Sequence, residues 1–94
     1  MLVRVVKMHF APNFIDEFKS LFKGVKSKIL ASAGCEDVKL LQHETDPSIF
    51  FTISNWQSAE HLEQYRNSAL FKETWAKVKP NFAHKAEAWS LNEF

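Results

Sequence analysis

Ile49-Phe50-Phe51-Thr52-Ile53-Ser54-Asn55 is the stretch on which the fold turns. It is β-branched and aromatic nearly throughout, the composition of a strand. Apolar side chains occupy both of its alternations: Ile49, Phe51 and Ile53 on one, Phe50 and the following Trp56 on the other. Immediately ahead, Thr45-Asp46-Pro47-Ser48 has turn chemistry, with proline supplying a fixed φ and aspartate a local side-chain acceptor. Residues 36–43 (Glu-Asp-Val-Lys-Leu-Leu-Gln-His) suit another strand, and so short a link predicts an antiparallel hairpin.

Working outward, residues 2–10 carry Val3, Val5, Val6 and Phe10 and predict a first strand that ends before Pro12. From Asn13 the period becomes helical. Phe14, Phe18, Leu21, Phe22, Val25 and Ile29 recur at steps of three and four, with most charged residues off that stripe. Gly34 beyond the stripe is the expected stop, because glycine enters the left-handed region cheaply. Gly24, inside the helix, costs about 0.5–1 kcal/mol relative to alanine and is either tolerated or a point of close approach. On the other side, Ser58 caps a helix over 59–66, and Ser68 caps one reaching Val78 before Pro80. Residues 83–91 predict a last strand.

The order strand, helix, strand, strand, helical segment, strand predicts an α+β, ferredoxin-like (split βαβ) fold. Its four-stranded antiparallel sheet carries the helices on one face. Strands that are apolar on both faces then need a second cover, and the expected one is another copy of the chain in a homodimer.

The 94 residues suit one domain, 1–94. Twelve Lys+Arg against eleven Asp+Glu give a net charge of +1, too balanced for a nucleic-acid partner. Two glycines cannot build a phosphate-cradling loop, and one cysteine cannot build a disulfide or a multi-thiolate zinc site. The uncharged run from Pro47 to Ala59 falls short of the roughly 20 residues of a membrane helix. With no signal-peptide pattern at the start, a cytoplasmic protein without a membrane partner is expected.

His9, His43, His61 and His84 are scattered singly, so no metal site is expected, and Cys35 reads as an inert thiol. What remains is an aromatic group: Trp56, then Leu62, Tyr65, Phe71 and Trp75 at helical spacings. One reading is a helix stripe packed on the sheet. The other is a pocket between sheet and helices for a flat aromatic molecule, with tyrosine and tryptophan supplying polar handles.

The run from Phe50 through Trp56-Gln57-Ser58 to Leu62, followed by Asn67-Ser68-Ala69-Leu70-Phe71, resembles the antibiotic biosynthesis monooxygenase domain family. The resemblance implies a dimeric α+β barrel. For characterised members it also implies oxidation of polycyclic phenols to quinones by O2, with no metal, flavin or other cofactor. Trp56 matches the family tryptophan of the active-site pocket. An asparagine four positions earlier in the family is Thr52 here, and a tyrosine six positions later is Leu62. Tyr65, one turn on, is then the candidate proton relay, with Thr52 orienting the substrate. In the related haem-degrading branch the aromatic and iron-ligand positions correspond to Tyr65 and Trp75; indole does not ligate iron, so that activity is disfavoured.

The expected function is a cofactor-independent monooxygenase acting on a small aromatic, phenolic or quinol molecule. Its catalytic residues are Trp56 and Tyr65, and its substrate-binding residues are Thr52, Leu62, Phe71 and Trp75. The alternative is a non-catalytic dimeric binding or stress-response module of the same fold.

Overall fold

The computed structural model describes residues 1–94. Strand β1 (Leu2–Phe10) leads through a 3-10 turn at Pro12–Phe14 into α1 (Ile15–Leu30). Strands β2 (Cys35–Gln42) and β3 (Ile49–Trp56) follow, then helices α2 (Ala59–Arg66) and α3 (Ala69–Val78), a second 3-10 turn at Lys79–Asn81, and β4 (Phe82–Asn92). The sheet order is β2-β3-β1-β4 with every neighbouring pair antiparallel, the ferredoxin-like arrangement.

Local chemistry explains most boundaries. The Asp46 carboxylate accepts from the Ser48 amide (3.0 Å) and hydroxyl (2.6 Å), closing the hairpin turn. Those two hydrogen bonds, the hydroxyl's first, hold its carboxyl below the usual range. Ser58 accepts from the His61 amide and Ser68 from the Phe71 amide, both at 3.2 Å, so each serine satisfies an orphan donor at a helix start.

Gly34 departs from the expected role. Helix α1 ends at Leu30 through Ala31, which keeps right-handed angles while its amide reaches the Ser27 carbonyl. The helix end therefore needs no left-handed residue. Gly34, at φ +80°, instead makes the turn into β2, closed by the Cys35 amide on the Ser32 carbonyl at 3.1 Å. Gly24 has no neighbour within 4 Å of a would-be Cβ, so it is tolerated and marks no close approach.

The structure also settles which alternation faces the helices. Phe50, Ser54 and Trp56 of β3, Met8 and Phe10 of β1, and Val38 of β2 are buried. Ile49, Phe51 and Ile53 lie on the opposite face, with Val3 and Val5 of β1 beside them. Leu41, Trp89 and Leu91 join that open face in register and are 42–49% exposed.

Under the helices the core forms two clusters. The Phe10 ring meets those of Phe14, Phe18, Phe50 and Phe82 at centroid distances of 4.4 to 6.1 Å. Phe22, Ile29 and Val38 make the second cluster. The gap between them is the site.

Candidate functional site

A cavity of about 300 Å³ opens between the sheet and the three helices, bordered by Met8, Phe18 and Val78 of one cluster and Phe22, Ile29 and Val38 of the other. Its existence follows from short side chains on the sheet. Thr52 and Ser54 of β3 and Ala86 and Ala88 of β4 border it, and they leave unfilled the volume that larger residues would occupy. The size and apolar lining suit a small ring compound.

Five of the six sequence-predicted residues border the cavity: Thr52, Leu62, Tyr65, Phe71 and Trp75. Their rings form one seam. Tyr65 stacks on Trp56 at 5.0 Å, Phe71 meets Tyr65 edge-on at 5.3 Å, and Trp75 lies nearly parallel to Phe71 at 5.7 Å. The two readings of these aromatics thus merge, since the stripe that packs the helices on the sheet is also the cavity wall.

Trp56 is the exception. It is 0% exposed, lies behind Tyr65 rather than on the wall, and spends its Nε1–H on the Ser54 hydroxyl oxygen at 2.9 Å. The expected wall and substrate hydrogen-bond donor is therefore a support for two residues that do reach the cavity. Ser54 is one of them. With its oxygen accepting from Trp56, its own O–H remains for an occupant.

Tyr65 is the other. Its backbone carbonyl accepts from the Ser68 hydroxyl at 2.6 Å, while its phenol hydroxyl makes no hydrogen bond within the chain. Burial, with a smaller contribution from Cys35, pushes its pKa up to about 12. The phenol is consequently a neutral donor at physiological pH. Tyr65 is the chain's one tyrosine, so near-ultraviolet phenolate absorbance reports on it alone. The midpoint is expected near 12 rather than the ordinary 10.0; a midpoint at the ordinary value would contradict the buried position. Because the folded pKa is the higher one, this group's stabilisation is complete below pH 10 and is lost as pH rises through 12.

Sequence reasoning passed over two arginines. Arg4 and Arg66 both border the cavity. The available signal was position: Arg4 shares its alternation on β1 with Val6, Met8 and Phe10, all packed toward the helices. No histidine or cysteine borders the cavity. Burial pushes the Cys35 thiol up, away from the reactive thiolate. No three His, Cys, Asp or Glu side chains converge as a metal-binding group, and no helix is long and apolar enough to cross a membrane.

The fold and its apolar cavity define a small α+β protein of the ferredoxin-like class built around a ring-sized site. The family model described as antibiotic biosynthesis monooxygenase matches residues 1–77, and the chain belongs to that family. Solved structures share the fold. A crystal structure of an antibiotic biosynthesis monooxygenase superposes with a TM-score of 0.93 at 17% identity, covering 100% of this chain and 99% of that one. A conserved protein from Methanosarcina mazei Go1 gives 0.92 at 25% identity, covering 100% and 94%. Rv0793 from Mycobacterium tuberculosis gives 0.89 at 15% identity, covering 99% and 94%. Comparison with curated proteins returns no match.

Proposed function

We propose that the protein is a cofactor-independent monooxygenase acting on a small phenolic or quinol substrate. The observation that carries this reading is the cavity's polarity: an apolar chamber in which Tyr65 and Ser54 offer hydroxyl protons and two arginines, Arg4 and Arg66, outnumber the one carboxylate, Glu87. Such an arrangement favours the ionised form of a bound phenol, because donors and cations stabilise a phenolate more than a neutral phenol. Tyr65, held protonated, donates to the phenolate oxygen rather than removing its proton. Thr52 orients the ring from the sheet, and Leu62, Phe71 and Trp75 hold it and exclude water. The electron-rich anion then reduces O2. Overall, a phenol and O2 become a quinone and H2O: one oxygen atom replaces a ring C–H hydrogen as a carbonyl, and the other leaves as water with that hydrogen and the phenol's own.

One feature favours the second reading, a non-catalytic binding module. No histidine borders the cavity, and its tyrosine is held protonated, so neither serves as a base near neutral pH. The two readings separate on incubation with hydroquinones and anthrones, with and without air. O2 consumption above buffer, falling about tenfold or more in Tyr65→Phe, is the result expected of the enzyme. Tryptophan quenching without consumption assigns the binding module; neither signal overturns both.

The same proposal includes a homodimer across the open sheet face. Leu41, Trp89 and Leu91 add to Phe51, Ile53, Val3 and Val5 an apolar area, bordered by Lys7, Lys39 and Glu87, that the chain itself leaves uncovered. Sedimentation equilibrium is expected to give twice 10.9 kDa at micromolar concentration, and a monomer would remove this part of the proposal.

A further inference from the structure

His84 lies on the side of β4 that alternation does not predict. Phe82 and Ala86, two residues to either side, face the helices: the Phe82 ring meets those of Phe10 and Trp75, and Ala86 borders the cavity. Strict alternation would send His84 the same way. The β1–β4 register instead shifts on both sides of His9, and the extra β4 residues turn His84 out onto the open face, directly opposite His9. Bulges of this kind re-aim a side chain. The two imidazole rings lie with centroids 4.4 Å apart, tilted at 45°.

This pair sits inside the footprint that a second copy would cover. Four strands about 4.8 Å apart and about eight residues long make a face of roughly 19 by 26 Å, on the order of 500 Å² before side-chain relief. A stable interface takes about 800 Å² of accessible surface from each partner, so it needs the whole face. His9 is on an interior strand of that face, beside Ile49 of β3.

Its electrostatic surroundings are balanced only while the imidazoles are neutral. Lys7, Lys85 and Glu87 border the same polar cleft as His9 and His84. Asp46 acts from the hairpin turn: its carboxylate accepts the Ser48 hydroxyl at 2.6 Å, and the Ser48 oxygen lies 3.5 Å from His9 Nε2. His43, across Ile49 from His9, is tied into the turn, with its Nδ1 accepting the Thr45 and Asp46 amides. Two ammonium groups thus face two carboxylates. Protonating both imidazoles makes it four cations against two, with the two new charges directly opposite each other across the strands.

We propose that the His9–His84 pair is an acid-sensitive contact of the homodimer, neutral and covered by the second copy at pH 8, and forcing the copies apart when protonated at pH 5. The inference rests on the homodimer proposed above and adds the groups that regulate it. It is independent of the cavity and of turnover.

Sedimentation equilibrium at pH 8 and pH 5 tests it, because histidine is the side chain whose ordinary charge change falls in that interval. The native dimer is expected to dissociate at least about tenfold more readily at pH 5, since like charges pressed together at an interface are costly. In His9→Asn/His84→Asn, which keeps both lysines and both carboxylates, the two dissociation constants are expected to agree within about twofold. His84→Asn alone, at an exposed position, is expected to fall between. Far-ultraviolet circular dichroism is expected to be the same at both pH values; loss of helical signal at pH 5 would trace the dissociation to unfolding and overturn the inference. Equal dimerisation at both pH values, or a double variant as acid-sensitive as the native chain, also overturns it and leaves the homodimer standing. A monomer at pH 8 removes the homodimer itself.

Discussion

Trp56→Ala is expected to lower the folding free energy by about 4 kcal/mol, in the range for removing a fully buried large aromatic side chain. Nothing of Trp56 is exposed, its ring supports Tyr65 at 5.0 Å, and its N–H is the donor to Ser54. The melting temperature of a domain this size would fall by roughly 20 °C. Urea unfolding checks the value, with the midpoint shifting and the slope unchanged. A loss under about 1 kcal/mol would mean that the ring is not packed as described. Trp56→Phe separates packing from hydrogen bonding. It keeps an aromatic ring against Tyr65, removes the donor to Ser54, and is expected to cost about 1–2 kcal/mol. The functional consequence is practical: activity lost in Trp56→Ala reports unfolding, whereas Tyr65→Phe changes a single cavity-facing oxygen.

Gly34→Ala is the second large effect, at about 3 kcal/mol. Two causes add. A left-handed conformation costs a non-glycine residue about 1–2 kcal/mol, and Gly34 sits at φ +80°. The new Cβ would also overlap the His61 ring. That ring cannot simply turn aside, because its Nδ1 contacts the Ser58 hydroxyl at 2.8 Å, and the same hydroxyl caps α2. Moving it endangers a cap worth about 1 kcal/mol. The double variant Gly34→Ala/His61→Ala is expected to be less destabilised than the sum of the two single variants. The overlap with the ring disappears, while the overlap with the residue-61 Cβ and the backbone cost remain. Strict additivity in thermal or urea unfolding would show that His61 is not the obstacle.

These two residues also illustrate how far the sequence could be read. Ser58, Ser68 and the Asp46-Pro47-Ser48 turn were legible because each acts on backbone groups within three residues of itself. The element order followed from hydrophobic period, and the order restricts a chain of this kind to few topologies. Gly34 was legible as a turn-permitting residue, but its partner is not local: the ring pressing on it arrives from α2, 27 positions later.

Candidate-site residues divided along the same line. Tyr65, Phe71 and Trp75 lie on helices whose apolar faces must meet the sheet, so their spacing already aimed them at one seam. Trp56 ends a strand that is apolar on both alternations, and no pattern within the strand says which side the helices cover. Arg4 was missed for a related reason. A charge in a strand suggests the solvent side, and only the sheet register, with Ser54 on one flank and Ser90 on the other, puts it facing inward.

By itself, then, the amino-acid sequence determined the units, most of their boundaries, their order and the family, because each depends on local period, capping and composition. Tertiary structure alone decided the facing of the strands, the withdrawal of Trp56 behind Tyr65, and the cavity that Thr52, Ser54, Ala86 and Ala88 leave open. The physical reason is that a void, and a charge beside it, are properties of surfaces brought together from distant parts of the chain.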